Sequence, residues 1–229
     1  MLEAILLDND VILKMCAFAA SNQLVEIATV QGCPPVLLAV AKYSLRSQVS
    51  KYRSIPEYEN TVAQLEIFMR KVKLIEPTED EINFAADLEE KAIRNGFHLD
   101  AGESQLVAVL IHRCSPLLIT GDKRAIIALS KIAPQTIEGR VACFEQVVAT
   151  VVIGNSFLES FRTSVCKSRT VDKAIANCFS CSSPSVTLEE VMAGLRSYIA
   201  ALRCNTGKLL INSDDLVAVT SKKNSVRLT

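Results

Sequence analysis

The sequence predicts a three-layer α/β/α sandwich on a mainly parallel sheet over residues 1–144, with a mostly α-helical extension over residues 145–229. Three observations lead there. Short apolar runs alternate with segments of helical periodicity, the pattern of strand–helix–strand units. The first of those runs is continuously apolar, as a strand covered on both faces must be. After Phe144 the alternation gives way to several helices.

Ala4-Ile-Leu-Leu7 reads as the first buried strand, ended by Asp8. Val11 to Ala20 reads as a helix, and a second helix runs from Ser21, a residue suited to an N-cap, to about Val30. Gly32 and Pro34-Pro35 break the chain before a strand at Val36 to Val40 and a helix at Lys42 to Lys51. Pro56 is suited to the first turn of a helix that runs through Arg70. Val72 to Ile75 is a strand. Thr78 followed by Glu81 has the form of a capping box, and Asn95-Gly96 ends the helix it starts. A helix from about Asp100 to Arg113 precedes the strand Leu117 to Thr120. Gly121-Asp122 leads into another helix, and Arg140 to Phe144 is the last strand. In the extension, breaks are expected near Gly154-Asn155 and Ser182 to Ser185. Lys208 to Ile211 and Leu216 to Thr220 suggest a small hairpin across Asn212 to Asp215. Ser221 to Thr229 reads as a polar, disordered tail.

The composition, 49% hydrophobic and 22% charged, suits a globular protein. The N-terminus lacks a basic region ahead of an apolar stretch, and the longest apolar run, Val147 to Ile153, is too short for a bilayer. The expectation is a cytoplasmic protein with eight reduced cysteines. Cys178 and Cys181 form a CxxC, but no second pair at zinc spacing accompanies it. Net charge is zero, divided unevenly. Residues 1–103 carry 16 acidic and 10 basic groups (−6), and residues 104–229 carry 9 acidic and 15 basic (+6). Nucleic-acid enzymes need local rather than average basic surface. Lys42, Arg46, Lys51 and Arg53, and later Arg162, Lys167, Arg169 and Lys173, are candidates, each equally readable as a solvated face.

Acids that follow apolar strands carry the chemistry, because parallel sheets place their sites at the carboxyl ends of strands. Asp8 follows the first strand directly. Asp122 follows Leu117 to Thr120 after one glycine. Glu103 lies in the first turn of the preceding helix, with Asp100 on the same face. Converging carboxylates repel one another unless a cation neutralises them, and an all-oxygen set suits Mg²⁺ or Mn²⁺. Each acid has a plainer reading, as a helix cap or a partner of the helix dipole. His98 and His112 suggest structural roles.

Leu6-Leu-Asp-Asn-Asp-Val-Ile12, Leu99-Asp-Ala-Gly-Glu-Ser-Gln-Leu-Val-Ala108 and Leu118-Ile-Thr-Gly-Asp-Lys-Arg-Ala125 occur in the order and spacing of three PIN-domain motifs, the second in the form of the branch that opens its helix with Gly-Glu. Over residues 4–144 the chain resembles that family. The resemblance implies a metal-dependent endoribonuclease acting on single-stranded RNA. Asp8, Glu103 and Asp122 would hold Mg²⁺ or Mn²⁺, supported by Asp100 or Asp10, with Asn9 and Thr120 behind them. Lys123 or Arg124 would meet a phosphate oxygen, and Lys42 and Arg46 would serve the nucleic acid. Likeness to toxin-type members implies an antitoxin-like protein partner; a homodimer is a further expectation, and a membrane is not. PIN nucleases place another acid in the helix after strand two, whereas Val40 to Val49 here holds none. Asp10 and Asp100 are the substitutes. Two alternatives stand beside this reading. One is a degenerate module that binds RNA or protein without catalysis. The other is a haloacid-dehalogenase-like phosphatase, suggested by Asp8-Asn-Asp10, although no Lys and acidic pair in strand context follows Phe144.

Overall fold

A computed structural model of the chain describes residues 2–153 and 158–221. Its centre is a five-stranded sheet, β1 (Leu6–Leu7), β2 (Val36–Leu38), β3 (Lys73–Ile75), β4 (Leu118–Thr120) and β5 (Val141–Cys143), in the order β3-β2-β1-β4-β5. Every pairing is parallel, and β1 is central. The order reverses direction between β2 and β4 on either side of β1. A crevice therefore opens beyond the carboxyl ends of β1 and β4, where open parallel sheets bind their ligands.

Helices cover both faces because successive strand side chains point to opposite sides. Ile5, Leu7, Leu37, Ile119 and Ala142 face one layer, formed by α1 (Asn9–Ala17), α2 (Ser21–Ala28), α3 (Ala41–Gln48) and α4 (Tyr58–Met69). Leu6, Val36, Leu118 and Val141 face the other, formed by α5 (Glu79–Arg94), α6 (Ala101–His112) and α7 (Lys123–Ile132). Thr78 caps α5 in a reciprocal box with Glu81, as its spacing predicts.

The remaining helices are α8 (Phe144–Ile153), α9 (Leu158–Lys167), α10 (Lys173–Cys178), α11 (Leu188–Thr206) and α12 (Ser213–Ser221). They complete the first layer rather than forming a core of their own. Phe144, Phe161, Phe179 and Leu195 share one buried cluster with Ile5, Leu7 and Val11. Phe18 stacks on Phe144 at 6.3 Å between ring centres and meets Phe161 edge-on at 6.0 Å. The long α11 joins both layers, with Val191 and Leu195 in the first and Ile199 and Leu202 in the second. The chain after α11 covers the β5 edge: Leu210 bridges Val141 in parallel, and the Ile211 amide donates to the Val141 carbonyl at 2.8 Å. At the opposite edge, β3 is three residues long, with Lys73 and Leu74 exposed.

Several expectations need correction. Ser21 is the first residue inside α2, not its cap, and its hydroxyl bonds the Gln64 side chain at 2.5 Å. The helix expected from Pro56 starts at Tyr58, and the one expected to Lys51 passes into a 3₁₀ turn at Val49–Tyr52. The hairpin across Asn212 to Asp215 is absent. Those residues instead start α12, with Asp214 and Asp215 in its first turn, where the helix dipole favours acids. The cysteines are not all reduced: Cys166 and Cys181 form a disulfide, their Cα atoms 5.1 Å apart as the turn after α10 folds back on α9. That splits the CxxC, since Cys178 packs against Gly194 of α11. The break at Gly154-Asn155 and, beyond Ser221, the polar tail lie outside the described residues. No helix among the described residues is long and apolar enough to cross a membrane.

A shared core predicts shared unfolding. Phe18→Ala should remove about 3–5 kcal/mol of stability. Because the chain has no tryptophan, urea unfolding is best followed by tyrosine fluorescence and circular dichroism. The two should give one coincident transition in both proteins. Separate transitions for the two parts of the chain would contradict a common core.

Candidate active site

The crevice at the reversal point is a cleft of about 460 Å³. Asp8, Asp10, Asp100, Glu103 and Asp122, all singled out from the sequence, line it, together with Asn9, Lys123 and Arg124. It also holds residues that sequence reasoning missed, namely Lys14, Gln48 and Asp172. Six carboxylates face three cations, a formal balance of −3.

Strand pairing fixes the two central acids. The Asp8 amide donates to the Ile119 carbonyl at 3.0 Å, so Asp8 begins where β1 leaves its neighbour β4. Thr120, buried at the end of β4, donates its hydroxyl to Asp8 Oδ2 at 3.0 Å and accepts the Asp122 amide at 3.3 Å. One hydroxyl thus joins acids 114 positions apart in sequence. Asp8 stands at the N-cap position of α1, yet its side chain makes no capping bond. Burial pushes its carboxyl up to about 6, against the Thr120 hydrogen bond and with the nearby charge of Asp10. The plain capping role is therefore not what occupies Asp8.

The other acids are more committed. Asp100 and Glu103 cap α6 reciprocally: the Glu103 amide donates to Asp100 Oδ1 at 2.8 Å, and the Asp100 amide to Glu103 Oε2 at 3.0 Å. This box uses one Glu103 oxygen. Burial raises the Glu103 carboxyl to about 8, and the charges of Asp100, Asp122 and Asp8 add to the effect. Asp122 caps α7 through the amides of Arg124 (2.7 Å) and Ala125 (3.3 Å), and Arg124 closes on it with its guanidinium at 3.0 Å. Burial works to raise Asp122, but these donors hold it below the usual carboxylate range. Asp10 lies against Gly121, where a Cβ would come within 2.1 Å of its carboxylate oxygen. Glycine is required there because the side chain passes directly over that backbone.

The expected basic residues divide. Arg124 stands at the cleft mouth, paired with Asp122. Lys123 turns to the buried Glu145 at 2.5 Å and lies over the Tyr198 ring of α11. Asn9 donates to the Ser44 hydroxyl on α3 at 2.9 Å, not to a carboxylate. Lys42 and Arg46 do not line the cleft; they border a separate groove of about 650 Å³ between α3 and α4, floored by Leu45, Val49 and Leu65. The extension also reaches the site, bringing Asp172 into the cleft and Glu145 to Lys123.

Among the described residues, no three His, Cys, Asp or Glu side chains are gathered tightly enough to enclose a metal ion as they stand. The donors nonetheless suit a hard cation. They are all oxygen, they repel one another, and Mg²⁺ keeps most of its water while bound by only one or two carboxylates.

The burial and close packing of these acids make two predictions. Asp8 and Glu103 bind protons more tightly in the fold than in the unfolded chain, so metal-free stability should fall as pH rises from about 4 to about 8. Asp8→Asn should remove Asp8's share of that fall, which lies between about pH 4 and 6, and raise the Tm at pH 8 by roughly 2–4 °C, read by differential scanning calorimetry with chelator. A lower Tm in the variant would contradict the burial and charge crowding assigned to Asp8. Gly121→Ala should cost on the order of 1–3 kcal/mol in urea, because Asp10 must move; an unchanged midpoint would show that the contact is slack.

No family model matches the chain, and neither does any curated protein. Among solved structures, the crystal structure described as VapBC2 from Rickettsia felis bound to a DNA fragment from their promoter is similar over 56% of this chain and 92% of that chain. The identity is 13% and the TM-score 0.40, a level at which the likeness adds nothing to the case made by the side chains.

Proposed function

We propose that the chain is a metal-dependent endoribonuclease of the PIN type that hydrolyses single-stranded RNA with Mg²⁺ or Mn²⁺. The observation that carries this reading is Asp8. It is a carboxylate at a strand end, raised by burial, held by Thr120 and unused by the helix it precedes. Asp8 and Glu103 would hold the ion, with Asp122 and Asp100 beside them and Asp10 further along α1. When bound, such an ion makes its water easier to deprotonate and offsets charge developing on the phosphate.

The chain's own groups do the rest. Thr120 fixes the Asp8 carboxylate, so its lone pairs need little reorganisation. Arg124, at the mouth of the cleft, would meet a phosphate oxygen by yielding part of its pair with Asp122. Residues 1–144 would carry the motifs, while Asp172 of the extension lines one side of the cleft. The motifs' likeness to toxin-type PIN proteins makes an antitoxin-like protein the partner we would seek.

One observation favours a second reading, a module that binds without cutting: both Asp122 oxygens already serve α7 and Arg124. The phosphatase reading loses support because Asp10, its would-be acid, is paired with Lys14.

Labelled single-stranded RNA, incubated with wild type and Asp8→Asn in Mn²⁺ or in chelator, separates these readings. Wild type should cut only with the ion, and Asp8→Asn should lose on the order of 100-fold or more. Equal cutting by both proteins would overturn the assignment. No cutting and no Mn²⁺ binding by calorimetry would establish the binding module. Phosphate release from a small phosphoester without RNA cleavage would restore the phosphatase.

A further inference from the structure

Lys14 is four residues after Asp10 on α1, and its ammonium is the most enclosed cation of the cleft. Nζ lies 2.6 Å from Asp10 Oδ2 and 2.9 Å from Asp172 Oδ2, with the lysine side chain 12% and Asp172 13% exposed. The Phe144 ring sits beneath it, 5.1 Å from Nζ to the ring centre. Each of its partners is fixed independently. Asp172 caps α10 with its other oxygen, accepting the Ile175 amide at 3.0 Å, and Asp10 is pressed onto Gly121. The two carboxylates come from α1 and from the extension, and the ammonium lies between them where charge repulsion would otherwise part them.

We infer that the Lys14 ammonium is the resident cation of the Asp10–Asp172 half of the cleft, so that this half takes no divalent ion and the cleft binds one ion fewer than its six carboxylates would allow. The inference rests on the proposed function for the identity of the other half, Asp8 with Glu103, as the ion site. Two carboxylates on separate elements with water access are enough to hold Mg²⁺ or Mn²⁺. A protein-borne ammonium in that position supplies a positive charge without coordination demands, and it has a third N–H beyond the two the carboxylates use. Asp172 is accordingly a positioning residue: by holding Lys14 it makes residues 145–229 part of the cleft.

The test counts ions. Full-length wild type, Lys14→Met and Lys14→Gln are titrated with Mn²⁺ by calorimetry, and each is followed by thermal unfolding with and without the ion. Methionine matches the length of lysine without its charge, and glutamine keeps a donor for one carboxylate should the methionine variant not fold. Both variants should bind one Mn²⁺ more than wild type, and the ion should raise their Tm by more than it raises that of wild type. An increase from one to two ions supports both the inference and the proposed function. An increase from none to one supports the inference and defeats the proposed ion site at Asp8 and Glu103. Equal stoichiometry in wild type and in whichever variant folds overturns the inference. If neither variant folds in chelator, refolding driven by Mn²⁺ supports it and failure to refold overturns it.

Discussion

Everything at the site depends on β1 and β4 being neighbours. They are separated by more than a hundred residues in sequence, and only their parallel pairing brings Asp8 beside Thr120 and Asp122. The Thr120 hydroxyl then does what neither acid could do alone: it donates to one and accepts from the backbone of the other, spending its proton and a lone pair on a junction that would otherwise be two repelling groups at a sheet end. Burial of Ile5, Leu7 and Ile119 on one face of the sheet, and of Leu6 and Leu118 on the other, packs the junction from both sides.

Around that junction the acids differ in how their charge is met. Asp100, Asp122 and Asp172 are held by helix N-terminal amides, Asp122 further by Arg124, and Asp10 by Lys14. Glu103 is half committed, and Asp8 has only a hydroxyl and neighbouring backbone. Such unequal treatment leaves Asp8 and Glu103, whose carboxyls burial raises, as the acids of the cleft whose ionisation would be met least. The site is thus poised by its most poorly satisfied members, and the satisfied ones serve as its frame.

Much of this was legible in the chain. Continuous apolar runs ending in acids located β1, β4 and the cleft, and Thr78 with Glu81 announced α5. Asp100 with Glu103 has the spacing of the same box, so its capping role could also have been read. Lys14 is at i+4 from Asp10, the spacing of a helical ion pair, and was readable by the same token. Asp172 was not, because nothing in Thr170-Val-Asp-Lys173 distinguishes a helix cap from a residue that also reaches across to α1. Lys42 and Arg46 were misplaced for a related reason: a basic helix face is visible in sequence, but the direction in which the helix presents it depends on packing. The false hairpin at Leu216 to Thr220 arose because a short apolar run has no decisive period, and Asp214 and Asp215 tipped it to helix.

The two edges of the sheet are treated differently. At β5, the Ile211 amide and the parallel bridge at Leu210 use the ladder positions that an incoming strand would need, and Arg203 and Gln146 hold the Ile211 carbonyl from the other side. At β3 no strand among the described residues pairs with the outer edge, which is only three residues long, with Lys73 exposed. An extended segment from a neighbouring molecule therefore finds no free ladder at one side and, at the other, too few bonds to offset the desolvation of a charge. Growth of the sheet from molecule to molecule, the first step toward cross-β aggregates, is blocked by chain coverage at β5 and by brevity and charge at β3.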